Sequence, residues 1–217
     1  MTPRTTPARF GVLIYPGVEP IDLGGTVGVV SMATRVLPAV TATVIARHAG
    51  PVRLAGGLTV QAEHAIDAAP SCDVVIVCGG PGWPEAAEDP VLLAYVRGLP
   101  PAGLASVCTG ALILAAAGVL DGRIATTRRR ASGAETIAPL DRLARTGAIR
   151  TRQAAVVDDG VVTGGGVSLA IDTTLYLLGR IYGEAAAAEV AQILEYDRGW
   201  AANTAALGVL VPDAGGR

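Results

Sequence analysis

The chain has 217 residues, 51% of them hydrophobic, and a formal net charge of −2. That length suits one α/β domain around one sizeable core, and the charge excludes the basic footprint of a nucleic-acid binder. All 17 basic residues are arginine. Without lysine, Schiff-base and pyridoxal chemistry, a Ser-Lys dyad and a phosphate-binding P-loop are excluded.

Residues 1–8, rich in Thr and Pro, read as a disordered lead-in, residues 9–200 as one domain, and 201–217 as an irregular tail. The run Arg9 to Ile14, bounded by Tyr15-Pro16-Gly17, predicts a buried first strand and a turn. Asp22 then opens a helix to about Val36. A carboxylate here either caps the helix or its first turn, or stands at the carboxyl end of a parallel strand, where open α/β folds place their sites. Thr41 to Arg47 is β-branched and strand-like, and Val52–Leu54 with Leu58–Val60 reads as a hairpin. His48 ends a strand and His64 lies in a polar connector. Neither has a partner in sequence, so both read as surface histidines rather than bases.

Ser71-Cys72-Asp73 leads into the buried strand V-V-I-V-C, which ends in Gly79-Gly80-Pro81-Gly82. Glycines there make a tight turn, or let a backbone approach a ligand and donate N–H groups to developing negative charge. Cys72 and Cys78 read as core residues. Asp89-Pro90 supplies an N-cap and a Pro at the first helical position for a helix through about Gly98.

Leu104 to Thr127 is the organising stretch. The apolar run Leu104–Val107 passes through Cys108, Thr109 and Gly110 into an Ala/Leu-rich helix that stops at Gly118. Its apolar length is marginal for a membrane span, but Ser106, Thr109, Gly110 and Gly118 within it fit a strand, a sharp turn and a helix. Such a corner lifts a cysteine out of the sheet, as in a nucleophile elbow, and a helix N-terminus favours its thiolate. The alternative is a buried cysteine acting as a small hydrophobe; the elbow context favours the nucleophile.

Arg128-Arg129-Arg130 is a solvated loop patch or an anion or partner contact. Ser132 and Glu135 match a capping box for a short helix to about Leu140. Strands follow at Ala148–Thr151, Ala154–Val157 and Val161–Thr163, then Gly164-Gly165-Gly166, a helix from Val167 to Tyr182 and another from Glu184 to about Tyr196. The tail from Asp197 is expected to be irregular. The glycine run lacks the βαβ context of a dinucleotide fingerprint, and the histidines and cysteines lack zinc spacing. Strands alternating with helices imply a mostly parallel sheet covered on both faces, with Asp22, Gly79-Gly80 and Cys108 at strand carboxyl ends. An odd cysteine count with no signal peptide or membrane segment fits a reducing cytoplasm.

V-C-T-G-A-L-I-L-A-A-A-G-V-L-D-G-R-I-A-T-T, with P-I-D-L-G-G, V-C-G-G-P-G and G-G-G-V-S-L-A-I-D, resembles the ThiJ/PfpI superfamily of class I glutamine-amidotransferase-like proteins, in its isonitrile hydratase-like branch. The resemblance implies a flavodoxin-like three-layer α/β sandwich, a homodimer, no cofactor and a small-molecule substrate. By motif position it implies Cys108 as nucleophile, Asp22 as the acid or base beside it, and Thr109 assisting through its side chain and N–H. Gly79 and Gly80 would stabilise an anion through their N–H groups, and Gly24 and Gly25 would line the pocket. The implied reaction adds water to an isonitrile through a thioimidate.

This sequence departs from the pattern twice. It has Thr126-Thr127-Arg128-Arg129 where relatives commonly read T-T-H-W, leaving open whether Arg128 replaces a histidine, and Asp22-Leu23-Gly24-Gly25-Thr26 where hydratase relatives tend to read D-L-T-G-P. Protease-like relatives carry a His after the Cys, and glyoxalase chemistry wants a nearby histidine; neither is matched here. A related cysteine enzyme with another electrophile, a tailoring lyase or cyclase for instance, or a non-catalytic ligand or redox sensor remains the alternative. Too little sequence follows Tyr196 for the DNA-binding module of regulatory relatives.

Overall fold

The structure, a computed structural model, describes residues 7–37 and 39–212. Its elements are β1 (Ala8–Leu13), α1 (Pro20–Ala33), β2 (Val40–Ala46), β3 (Gly50–Arg53), β4 (Thr59–Ala62), β5 (His64–Ala65), β6 (Val74–Val77), α2 (Trp83–Ala86), α3 (Pro90–Gly98), β7 (Leu104–Ser106) and α4 (Gly110–Ala116). There follow β8 (Ile124–Ala125), α5 (Pro139–Ala144), β9 (Arg150–Thr151), β10 (Val156–Asp158), β11 (Val162–Gly164), α6 (Leu169–Tyr182), α7 (Glu184–Ile193), α8 (Asp197–Leu207) and β12 (Val209–Leu210).

One eight-stranded sheet runs β12-β10-β11-β7-β6-β1-β2-β5, parallel from β11 to β5; β10 pairs antiparallel with β11 and parallel with β12. Central strands buried on both faces must be apolar throughout, and Val74, Val75, Ile76 and Val77 of β6 all are buried. The chain leaves β1 for β2 on one side and returns to β6 on the other. Right-handed crossovers therefore put α1 and α3 on opposite faces. Accordingly α1 packs with α6 and α7, and α4 with α2, α3 and α5. This is the mostly parallel, doubly covered sheet of a flavodoxin-like sandwich. The reversal of strand order between β1 and β6 makes the crevice where such folds bind ligands.

Several expectations are corrected. No helix runs from Ser132 to Leu140. Glu135 does reach back to the Ser132 N–H (2.8 Å), but Pro139, which lacks an N–H and clashes inside a helix, instead begins α5 at its first position. Of the residues from Asp197, expected to be irregular, Asp197–Leu207 form α8 and Val209–Leu210 form β12, which pairs with β10; residues 213–217 lie outside the described residues. Cys72 is half-buried, its thiol donating to the Pro70 carbonyl (3.3 Å), because it precedes β6 rather than lying within it. His64 sits on edge strand β5 beside Ile45 rather than in a connector, while His48 is exposed. Of the expected lead-in over residues 1–8, residues 1–6 lie outside the described residues, and Ala8 already belongs to β1. Among the described residues no helix is long and apolar enough to cross a membrane.

Candidate active site

The corner between β7 and α4 holds Cys108 at φ +51°, a left-handed conformation that costs a non-glycine residue about 1–2 kcal/mol. Its surroundings over-determine it. The Cys108 N–H donates to the Gly165 carbonyl (2.9 Å), and the Thr127 hydroxyl donates to the Cys108 carbonyl. Gly110 lets α4 start against β6, since a Cβ there would lie 2.2 Å from the Val77 carbonyl oxygen. Cys108 is 3% exposed, and burial, then the charge of Asp22, push its thiol's pKa up to about 12. The N–H groups of Val167 and Thr109 and the Arg128 guanidinium act on the sulfur in the opposite direction. The expectation that the helix N-terminus yields a ready thiolate is thus corrected: desolvation outweighs the dipole, and the resting group is a thiol.

Asp22 is not the cap of α1. That position is Glu19; Asp22 lies in the first turn, as the first-turn alternative expects, and on the buried stripe Asp22, Leu23, Thr26, Val29, Val30, Ala33 that faces the core. Its Oδ2 accepts from the Gly79 N–H (2.9 Å), its Oδ1 is buried without a nitrogen or oxygen donor, and the Cys108 thiol interacts with the carboxyl. Burial first raises its pKa to about 7, against the Gly79 N–H and the thiol, which lower it. A carboxyl poised near neutrality beside a thiol is a proton acceptor and donor in one group.

Gly79 and Gly80 are brought to this corner, but their N–H groups do not point at open space. Gly79 holds Asp22, and the Gly80 N–H donates to the Thr109 hydroxyl oxygen (2.8 Å). A Cβ on Gly79 would lie 2.4 Å from Thr109 N, so only glycine lets these segments meet. Gly24 is exposed with nothing near its Cα hydrogens, and Gly25 is a helix–helix contact whose Cβ would meet Ala170 at 3.1 Å. The structure therefore joins Cys108, Asp22, Thr109, Gly79 and Gly80, and leaves Gly24 and Gly25 outside that cluster.

Two further groups reach the sulfur: the first has no place as a site residue in the sequence reading, and the second, Arg128, stands open there as a replacement for a histidine. Val167 has φ +45°, strained for a β-branched residue, and this turn delivers its N–H to the sulfur. The Gly164-Gly165-Gly166 run was the available signal, since it delays α6 until Leu169. Arg128 is the second. It is half-buried, contacts Cys108, and its Nη2 donates to both oxygens of Glu135 (2.6 and 2.7 Å). Gly166 admits it, as a Cβ there would lie 2.5 Å from Arg128 Cγ. A cavity of about 280 Å³ is walled by Thr127–Arg130, by the Gly165–Leu169 turn and by Asn203 and Leu207 of α8. Cys108 does not line it, but Thr127, Arg128, Gly165 and Val167, which do, all touch Cys108.

A parallel sheet whose central strand ends in a cysteine corner, met by a carboxyl from the neighbouring crossover, defines an α/β protein with a thiol–carboxyl site. The chain belongs to the DJ-1/PfpI family, whose model matches residues 8–180. It is 33% identical over 190 residues to isonitrile hydratase of Pseudomonas putida, covering 87% of this chain and 78% of that protein. It is 30% identical to the HTH-type transcriptional regulator GbdR of Pseudomonas aeruginosa, over 65% of this chain and 37% of the regulator. Among solved structures, a THiJ/PfpI family protein from Pseudomonas syringae superposes with a TM-score of 0.75 at 30% identity, over 89% of this chain and 76% of that one.

Proposed function

We propose that the protein is a cysteine-dependent hydratase that converts an isonitrile to an N-substituted formamide. The observation that carries this reading is the buried thiol of Cys108 interacting with a carboxyl whose pKa is raised to about 7. An isonitrile needs a nucleophile and a proton at the same carbon, and one thiol–carboxyl pair holding one proton supplies both. Cys108 Sγ attacks the terminal carbon while its proton passes to Asp22 and on to that carbon. C–S and C–H bonds form at the expense of one N–C π bond, giving a thioimidate. Water then adds to the same carbon, the C–S bond breaks, and the thiol recovers its proton as the formamide leaves.

Burial holds the thiol's pKa well above that of the carboxyl, so passing the proton to Asp22 is uphill, and the attack on carbon that consumes the thiolate draws the step forward. In this reading Thr109 and Gly80 hold the corner, and the Thr109 and Val167 N–H groups with Arg128 stabilise charge developing on sulfur. Arg128 then does electrostatic work rather than proton transfer, because a guanidinium stays protonated. The enzyme would work as a cytoplasmic homodimer without a cofactor.

The likeness to a transcriptional regulator and the thiol's high pKa favour a second reading, a ligand sensor that does not turn over. Progress curves with cyclohexyl isocyanide separate the two. Formamide accumulating far beyond one equivalent, and falling by at least about 10³-fold in Cys108→Ala, is the expected result; no product beyond one equivalent supports the sensor.

A further inference from the structure

Resting on this reading for the reacting carbon, we propose that the natural substrate also carries an anionic group, a carboxylate in the smallest case, which Arg129 and Arg130 bind in the cavity beside Cys108.

The cavity is asymmetric in charge. Three consecutive arginines form one wall, and none of its lining residues is acidic. Arg128 is already committed to Glu135. Arg129 and Arg130 are exposed and make no ion pair among the described residues. A cavity with two uncompensated guanidiniums is poorly matched to a purely apolar ligand and well matched to an oxyanion, for which the guanidinium fork offers paired donors.

Geometry bounds where the charge sits on the ligand. Thr127 bonds to the Cys108 carbonyl and Arg128 reaches the sulfur. Arg129 and Arg130 are the next two residues, each step along the backbone being about 3.8 Å. The anionic group is therefore placed on the part of the ligand that runs from the Cys108 corner along this wall. Asn203 also lines the cavity, and its amide nitrogen donates to Asp172 (3.2 Å to each oxygen) and to the Tyr196 hydroxyl (2.9 Å). The Asn203 carbonyl oxygen is thus left to accept from a donor on the neutral part of the ligand. This helix was not expected from the sequence, and it completes the enclosure.

The test compares isocyanoacetate with its methyl ester, which differ chiefly in charge. In the wild type the acid is expected to have kcat/KM about tenfold or more above the ester, with the preference shrinking at high salt because both arginines are exposed. In the double variant Arg129→Gln/Arg130→Gln, whose folding is checked by circular dichroism, the acid-to-ester ratio is expected to fall towards one. Equal rates in the wild type, or a ratio untouched in the variant, would overturn the proposal. If neither isonitrile is turned over, the hydratase reading fails by itself. Calorimetry with N-formylglycine and its methyl ester then decides: tighter binding of the acid, lost in the double variant, sustains the anion site, and equal or no binding of the two overturns it.

Discussion

At the scale of single residues, the site is a balance between burial and hydrogen bonding. Asp22 is fully buried and its pKa rises from an unfolded value near 4 to about 7. The folded state therefore holds its proton more tightly. Its contribution to stability is complete below about pH 4, is lost as pH rises through 7, and above that the buried charge costs about 4 kcal/mol. Asn keeps an oxygen for the Gly79 N–H and carries no charge. Asp22→Asn is thus expected to raise the unfolding free energy by a few kcal/mol at about pH 8 and by little at about pH 4 in urea titrations. An identical effect at both pH values would mean that the carboxyl is not the strained group. Asp22 as a candidate was legible from its place after the first strand. Its burial was not, because N-cap and first-turn aspartates share that position in sequence.

At the scale of elements, the cysteine corner depends on how closely α4 approaches β6. A Cβ on Gly110 would lie 2.2 Å from the Val77 carbonyl oxygen and 3.0 Å from that of Cys78. Both are backbone atoms that cannot swing aside. Gly110→Ala is expected to cost at least about 2 kcal/mol and to reduce activity more than the fraction unfolded explains; a variant as stable and active as wild type would contradict this packing. The corner itself was legible, since an apolar run, Cys108, two small residues and an Ala/Leu helix admit few other readings. So were the Asp89-Pro90 start of α3, whose Asp89 side chain accepts from the Val91 and Leu92 N–H groups, and the Gly183 break before α7. The Ser132–Glu135 box misled because its own bond forms without a helix: Pro139 begins α5 only further on, and Glu135 is also held by Arg128, seven residues away. Helix α8 was missed because its composition is mild: D-R-G-W-A-A-N-T-A-A-L buries no residue fully and shows little apolar stripe.

At the scale of the whole molecule, function rests on four segments far apart in sequence meeting at one sheet edge. The first turn of α1 after β1 and the loops after β6, β7 and β11 supply Asp22, Gly79-Gly80, Cys108 and Val167, and parallel pairing brings all four to the same side. That convergence was legible from alternating strands and helices. The occupancy of the glycine N–H groups was not, since it depends on how closely Gly79 and Gly80 approach Asp22 and Thr109. The central claim is that Cys108 and Asp22, 86 positions apart, share one proton economy. The most direct test is the pH dependence of Cys108 alkylation by iodoacetamide, in wild type and Asp22→Asn, which needs no knowledge of the substrate. In the wild type the rate is expected to rise through about pH 7, as Asp22 ionises and accepts the thiol proton, and this inflection is expected to vanish in Asp22→Asn. The same inflection in both proteins, or wild-type reactivity that titrates like a free thiol, would contradict the account.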